Sequence, residues 1–130
     1  MKKILVFGAS SSRDSINKEL ATYAATLLDG VEANIIDLND FEMPIFSVDR
    51  EADLGGQPDE AKQFKSLIND CDGLIISFAE HNGSYSAAFK NVFDWASRVE
   101  KDMWQNKPML LLATSPGKRG GGSEIGRAHV

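Results

Sequence analysis

The 130-residue chain is short of cysteine, with Cys71 alone, and carries only four prolines, two tryptophans and two histidines. One cysteine excludes an intrachain disulfide framework and a multi-cysteine zinc site, and it fits a reducing cytoplasm. Basic residues are also scarce: 14 Lys and Arg face 19 Asp and Glu, a formal net charge of −5. That balance excludes the basic face of a generic nucleic-acid binder, so any anion must be held locally. No apolar run approaches the ~20 residues of a membrane span. After Met1-Lys2-Lys3 the run Ile4–Phe7 stops at Gly8, too short for the core of a signal peptide. The length suits one core and is too small for two ordinary domains. A small molecule, and neither nucleic acid nor membrane, is therefore the expected partner, and no metal ligands are assigned.

Four short apolar runs are present: Ile4–Phe7, Val31–Leu38, Leu74–Phe78 and Met109–Ala113. Each reads as a strand. Between them apolar residues recur at helical spacing: Ile16, Leu20, Tyr23, Ala24, Leu27 and Leu28; then Ala61, Phe64, Leu67, Ile68 and Cys71; then Ala88, Val92, Trp95 and Val99. Asp29-Gly30, Pro58 with Asp59-Glu60, and Asp72-Gly73 punctuate the boundaries. Near-continuous apolar strands alternating with helices predict an α/β fold, a parallel sheet with helices on both faces. The connection Asn39–Gln57 exceeds the usual length and is expected to be a binding or mobile loop. The arc holding Phe89, Phe93 and Trp95 is too wide for one core contact, which predicts a self-association face.

In open sheets of this kind ligands bind beyond the carboxyl ends of the strands. Three polar, Gly- and Ser-rich segments follow strands one, three and four: GASSSRDSIN, AEHNGSYS and SPGKRGGG. In the first, Gly8 lets the backbone turn, serine hydroxyls donate, and the following helix offers free N–H groups and a positive dipole end, a combination suited to phosphate. Neither the triphosphate loop nor the dinucleotide glycine pattern is present. In the second, Asn82-Gly83 is a turn dipeptide and Ser84 or Ser86 can cap the next helix. In the third, Gly120-Gly121-Gly122 permits close approach of backbone to a ligand, and Lys118 and Arg119 can hold a phosphate or carboxylate of a second substrate. Cys71 reads as a small core residue.

Together these segments resemble the NADPH-dependent FMN reductase family, a flavodoxin-like group that includes quinone, azo-dye and chromate reductases. The family's G-S-x-R-x-x-S-x-N-x-x-L is approximated by Ser10, Arg13, Ser15, Asn17 and Leu20, one residue short between arginine and serine. Its P-E-Y-N-x-S and L-K-N-x-x-D-W appear as Ala79–Ser84 and Phe89–Trp95, with Ala79 for proline and His81 for tyrosine. Its S-x-G-x-x-G-G is Ser115–Gly121. The resemblance implies FMN as cofactor, its phosphate held by Ser10, Ser12, Ser15 and Asn17 with Arg13 nearby. It implies that Glu80, His81, Asn82 and Gly83 border the isoalloxazine, and that the loop with Ser115, Gly117, Gly120 and Gly121 closes the other side. Lys118 and Arg119 are the candidates for contact with NADPH or NADH, and no side-chain acid or base is assigned. The implied activity is electron transfer from NAD(P)H to a quinone, azo compound or free flavin. An FMN-binding electron carrier and a non-catalytic oligomerising scaffold are the alternatives.

A flavodoxin-like sheet has five strands, whereas four are legible. Residues 1–122 are expected to form an incomplete FMN-binding domain and Ser123–Val130 a tail foreign to it. Loss of a fifth strand and its helix predicts a homodimer or homotetramer.

Overall fold

The computed structural model describes residues 1–10, 16–79 and 86–114. Within them the order is β1 (Lys2–Ala9), α1 (Ile16–Thr26), β2 (Val31–Ile35), a 3-10 turn (Leu38–Phe41), α2 (Val48–Leu54), α3 (Asp59–Asp70), β3 (Gly73–Ala79), α4 (Ala87–Val99) and β4 (Met109–Thr114). The four strands are all parallel, in the order β2-β1-β3-β4. The expected α/β architecture is thus present, with β1 and β3 at its centre. The expected tail, 123–130, lies outside the described residues.

Alternation along the strands sends successive side chains to opposite faces. One face carries Leu5, Phe7, Leu74, Ile76 and Phe78, which form a single core with Phe64 of α3 and Phe89 and Val92 of α4. Aromatic edges lock it: Phe7 meets Phe64 at 5.6 Å, Phe41 meets Phe64 at 5.4 Å, and Phe78 meets Phe89 at 5.3 Å between ring centroids. The other face is thinner, with Val6 and Ile75 under Ala21 and Ala25 of α1. Gly8 explains the small residues there. It lies inside β1 rather than in a turn, and a Cβ built on it would fall 2.8 Å from Lys18 Cα and 2.9 Å from the Asn17 carbonyl carbon. Its function is close helix–strand packing, not the chain reversal expected of it.

That close approach also turns the larger residues of the expected face of α1 outward, although Ala24 still packs on the core. The stripe against the sheet is Asn17, Ala21 and Ala25, while Ile16, Tyr23 and Leu27 stand 63%, 63% and 67% exposed. Large apolar side chains cannot occupy a gap that Gly8 has narrowed. The second strand also ends earlier than its apolar run. After Ile35, Asp37 caps the 3-10 turn by accepting from Asn39 N–H, and Leu38 turns into the core. Cys71 is buried as expected, just past the end of α3, where its thiol donates to Ile68 O. Burial pushes its pKa up.

The connection 39–57 is neither a plain loop nor free. Its α2 has no buried residue, so it is attached by polar contacts. Asn91 donates to Met43 O and Pro44 O and accepts from Phe46 N–H, and Trp95 Nε1 donates to Pro44 O at 2.7 Å. Phe46 meets the Trp95 ring edge-on at 5.0 Å, and Arg98 grips Glu51 through Nε and a second nitrogen at 3.0 and 2.7 Å. This strap covers Trp95 and Phe89 faces the sheet, while Phe93 is half-buried beside Trp104. Lys65, 1% exposed, donates to Met103 O and Asn69 Oδ1 and ties α3 to the connection before β4. Burial draws its pKa below the ordinary lysine value.

Two outcomes follow. Gly8→Ala forces backbone against backbone and destabilises the fold by about 2 kcal/mol, measurable by urea denaturation; an unchanged midpoint would contradict the packing described. Hydrogen bonds from Arg98 hold the Glu51 carboxyl at about 2, below its usual 4.5. A depressed folded-state pKa stabilises above the unfolded value and loses that contribution as pH falls. The stability difference between wild type and Glu51→Gln is therefore full above pH 4.5 and shrinks toward pH 2, as read by denaturation at stepped pH.

Candidate functional site

The carboxyl ends of the strands form one edge. Ala9 pairs with Phe78 and Phe78 with Ala113, so β1, β3 and β4 end within a residue of a common row. With neighbours ~4.8 Å apart, the three ends span about 10 Å. The strands that precede residues 10, 80 and 115 therefore end side by side, as the sequence predicts. Strand order reverses between β1 and β3, which is where ligands of doubly wound sheets sit.

Two helices start at this point, one on each face, and each is pinned by a serine. Ser77 of β3 donates its hydroxyl to Asn17 Oδ1 at 2.8 Å, holding the first turn of α1 over the sheet. Asn17, an expected phosphate ligand, is buried here at 7% exposure. On the opposite face Ser86 donates to Ala9 O at 2.7 Å and accepts from Phe89 N–H at 3.2 Å. Of the two serines expected to cap α4, Ser86 does so. The positive ends of two helix dipoles thus flank the end of β1, where Ser10 follows directly. Lys18 stands beside this edge, its Nζ 3.0 Å from Asp37 Oδ2. The Asn39 backbone N–H, and after it Lys18, hold the Asp37 carboxyl below its usual pKa despite partial burial.

Of the expected site residues, Ser10 and Asn17 are described and share this edge. Ser12, Arg13, Ser15, Glu80, His81, Asn82, Gly83, Ser115, Gly117, Lys118, Arg119, Gly120 and Gly121 lie outside the described residues. Ser77, Lys18 and Asp37 were not singled out from the sequence. A serine inside the apolar run Leu74–Phe78 is the one signal that marked Ser77. Among the described residues no group of His, Cys, Asp and Glu can hold a metal, and no helix is long and apolar enough to cross a membrane. A cavity of about 270 Å³ beside Lys3, Glu32 and Cys71 opens at the amino ends of the strands, the wrong end for a ligand of this sheet.

The profile of the NADPH-dependent FMN reductase family matches residues 2–125. A 2-hydroxy-1,4-benzoquinone reductase of Burkholderia sp. is 36% identical across 98% of the chain and 67% of its own length. An NADPH:quinone oxidoreductase of Arabidopsis thaliana is 33% identical over 73% of the chain, which covers 46% of that protein. In structure, the flavoenzyme NAD(P)H:(acceptor) oxidoreductase FerB from Paracoccus denitrificans superposes with a TM-score of 0.76 at 29% identity, over 98% of this chain and 69% of that one. The chain therefore spans between about half and two thirds of these relatives. With strand order, switch point and family profile in agreement, this flavodoxin-like chain belongs to the NADPH-dependent FMN reductase family.

Proposed function

We propose that the protein is an FMN-dependent NAD(P)H oxidoreductase that passes electrons to a quinone, an azo compound or free flavin. What supports this is the β1–β3 switch point, beside which Ser77–Asn17 and Ser86–Ala9 pin the starts of α1 and α4. The N–H groups of the first turn of α1 and the positive end of its dipole suit a phosphate dianion next to Ser10. Ser12, Arg13, Ser15 and Asn17 complete the phosphate set in this proposal. Glu80, His81, Asn82 and Gly83 border the ring, and Ser115, Gly117, Gly120 and Gly121 close over it. Lys118 and Arg119 attract the anionic nicotinamide dinucleotide. FMN, when bound, supplies the capacity to take a hydride from one substrate and release electrons to another. The chain's own task is to hold, orient and shield, and we assign no side-chain acid or base.

We further propose a cytoplasmic homodimer or homotetramer. Supporting assembly are the exposed Tyr23 of α1, Leu27 just after it and Leu110 on the edge strand β4. Light scattering then returns a mass of two or four chains, and a monodisperse monomer contradicts assembly. For the activity, the purified protein is mixed with FMN, desalted and given NADPH without air. Flavin absorbance stays with the protein and bleaches. Retained colour that NADPH does not bleach indicates an electron carrier instead, and no retained colour contradicts FMN binding.

A further inference from the structure

The outward apolar residues of α1 are not scattered. Ile16, Leu20, Tyr23 and, just past the helix, Leu27 follow one another at steps of four, three and four, the spacing of a seam between two helices. Leu20 is half-buried and the other three are exposed. At about 100° per residue, the seam is turned about 130° from the line of Asn17, Ala21 and Ala25 that faces the sheet. Lys18 lies on the other flank, where its Nζ reaches Asp37 beyond β2. The seam therefore looks outward and toward β4, the opposite edge of the sheet.

The sheet continues beneath that flank. Leu110 of β4 pairs with Ile75 and Leu112 with Ser77, so both leucines stand on the face that α1 covers. Leu112 packs against the thin core of Val6 and Ala21, whereas Leu110 is 47% exposed. The seam and these leucines are the wall and floor of an apolar groove alongside α1.

A second α1 satisfies both surfaces at once. With a two-fold axis running along the helices and between them, each helix lies against its counterpart and against β4 of the other chain, so the two helices fill one layer between two sheets. That axis makes the helices parallel, sets residue 23 opposite residue 23, and closes the contact at two chains. Charge permits it as well. The positions beside the seam are Asn17, Glu19, Ala24 and Thr26, and in a parallel pair Glu19 of one copy comes opposite Ala24 of the other, so no like charges meet.

We propose that α1 and the β4 leucines form the interface between two copies of this chain, packed as a parallel helix pair through Ile16, Leu20, Tyr23 and Leu27. The proposal rests on the assembly inferred above and adds its face, symmetry and register. Because the seam begins at Ile16, next to Asn17, pairing also braces the turn that Ser77 holds at the switch point.

The test uses light scattering of the full chain and of variants at the exposed position 23. Tyr23→Glu and Tyr23→Lys each halve the mass found for the wild type, with an unchanged circular dichroism spectrum. Mixed in equal amounts, the two restore it, because the register sets glutamate opposite lysine. A variant that keeps the wild-type mass overturns this interface and leaves assembly standing; halved masses that mixing does not restore overturn the parallel register. As a second measurement, oxidised Tyr23→Cys runs as a covalent pair, while oxidised Asp49→Cys, on α2 across the sheet, does not; equal yields from both overturn the seam. A wild type that is already a single chain removes the assembly itself, and this interface with it.

Discussion

At Gly8 the backbone of α1 lies against the backbone of β1 with no room for a Cβ between them, and the ligand end of the sheet depends on that contact. Because α1 sits so low, Asn17 reaches Ser77 on the neighbouring strand, and the first turn of the helix is fixed over the switch point. The same closeness demands alanine at positions 21 and 25. A buried hydrogen bond between two neutral side chains contributes only about 1 kcal/mol net. Its larger effect is directional, since it aims the positive end of α1 at the crevice beyond β1.

The two faces of the sheet divide the work. Phenylalanines 7, 41, 64, 78 and 89 make one face thick, a platform against which α3 and α4 pack. Interlocked rings at near-perpendicular angles favour one arrangement over its alternatives. The part of the strap from residue 43 to residue 57 lies on top of this platform and is attached mainly by polar contacts to one side of α4. Asn91, Trp95 and Arg98, spaced three and four apart, form that side. A segment held this way keeps its shape without burying much apolar surface.

Much of this was legible from residue pattern. The four strands, the parallel order they imply and the three segments sharing one edge all follow from apolar runs alternating with helical spacing. The errors fall where an interaction across the fold overrides a local pattern. The run through Leu38 looks like a continued strand, but Asp37 caps a turn instead. Ile16, Tyr23 and Leu27 keep helical spacing yet face outward, because the gap beneath α1 admits only small residues. The breadth of the arc around Trp95 was read correctly as too wide for the sheet alone; its cover is Phe46 and Pro44 of the same chain. Lys65 gave no sign of burial, since lysine on an amphipathic helix is ordinarily solvated.

By itself the sequence determined the class of fold and, through the joint pattern of three loops, the family. Those properties are encoded in periodicity and in residue types adjacent along the chain, which need no knowledge of distant partners. The tertiary structure decided what each polar residue near the ligand end of the sheet bonds to: Ser77 to Asn17, Ser86 to Ala9, Lys18 to Asp37, Asn91 to the strap. These partners are separated by 19 to 77 positions. Hydrogen bonds over such separations arise only once the core has brought the elements together, and no local pattern records them.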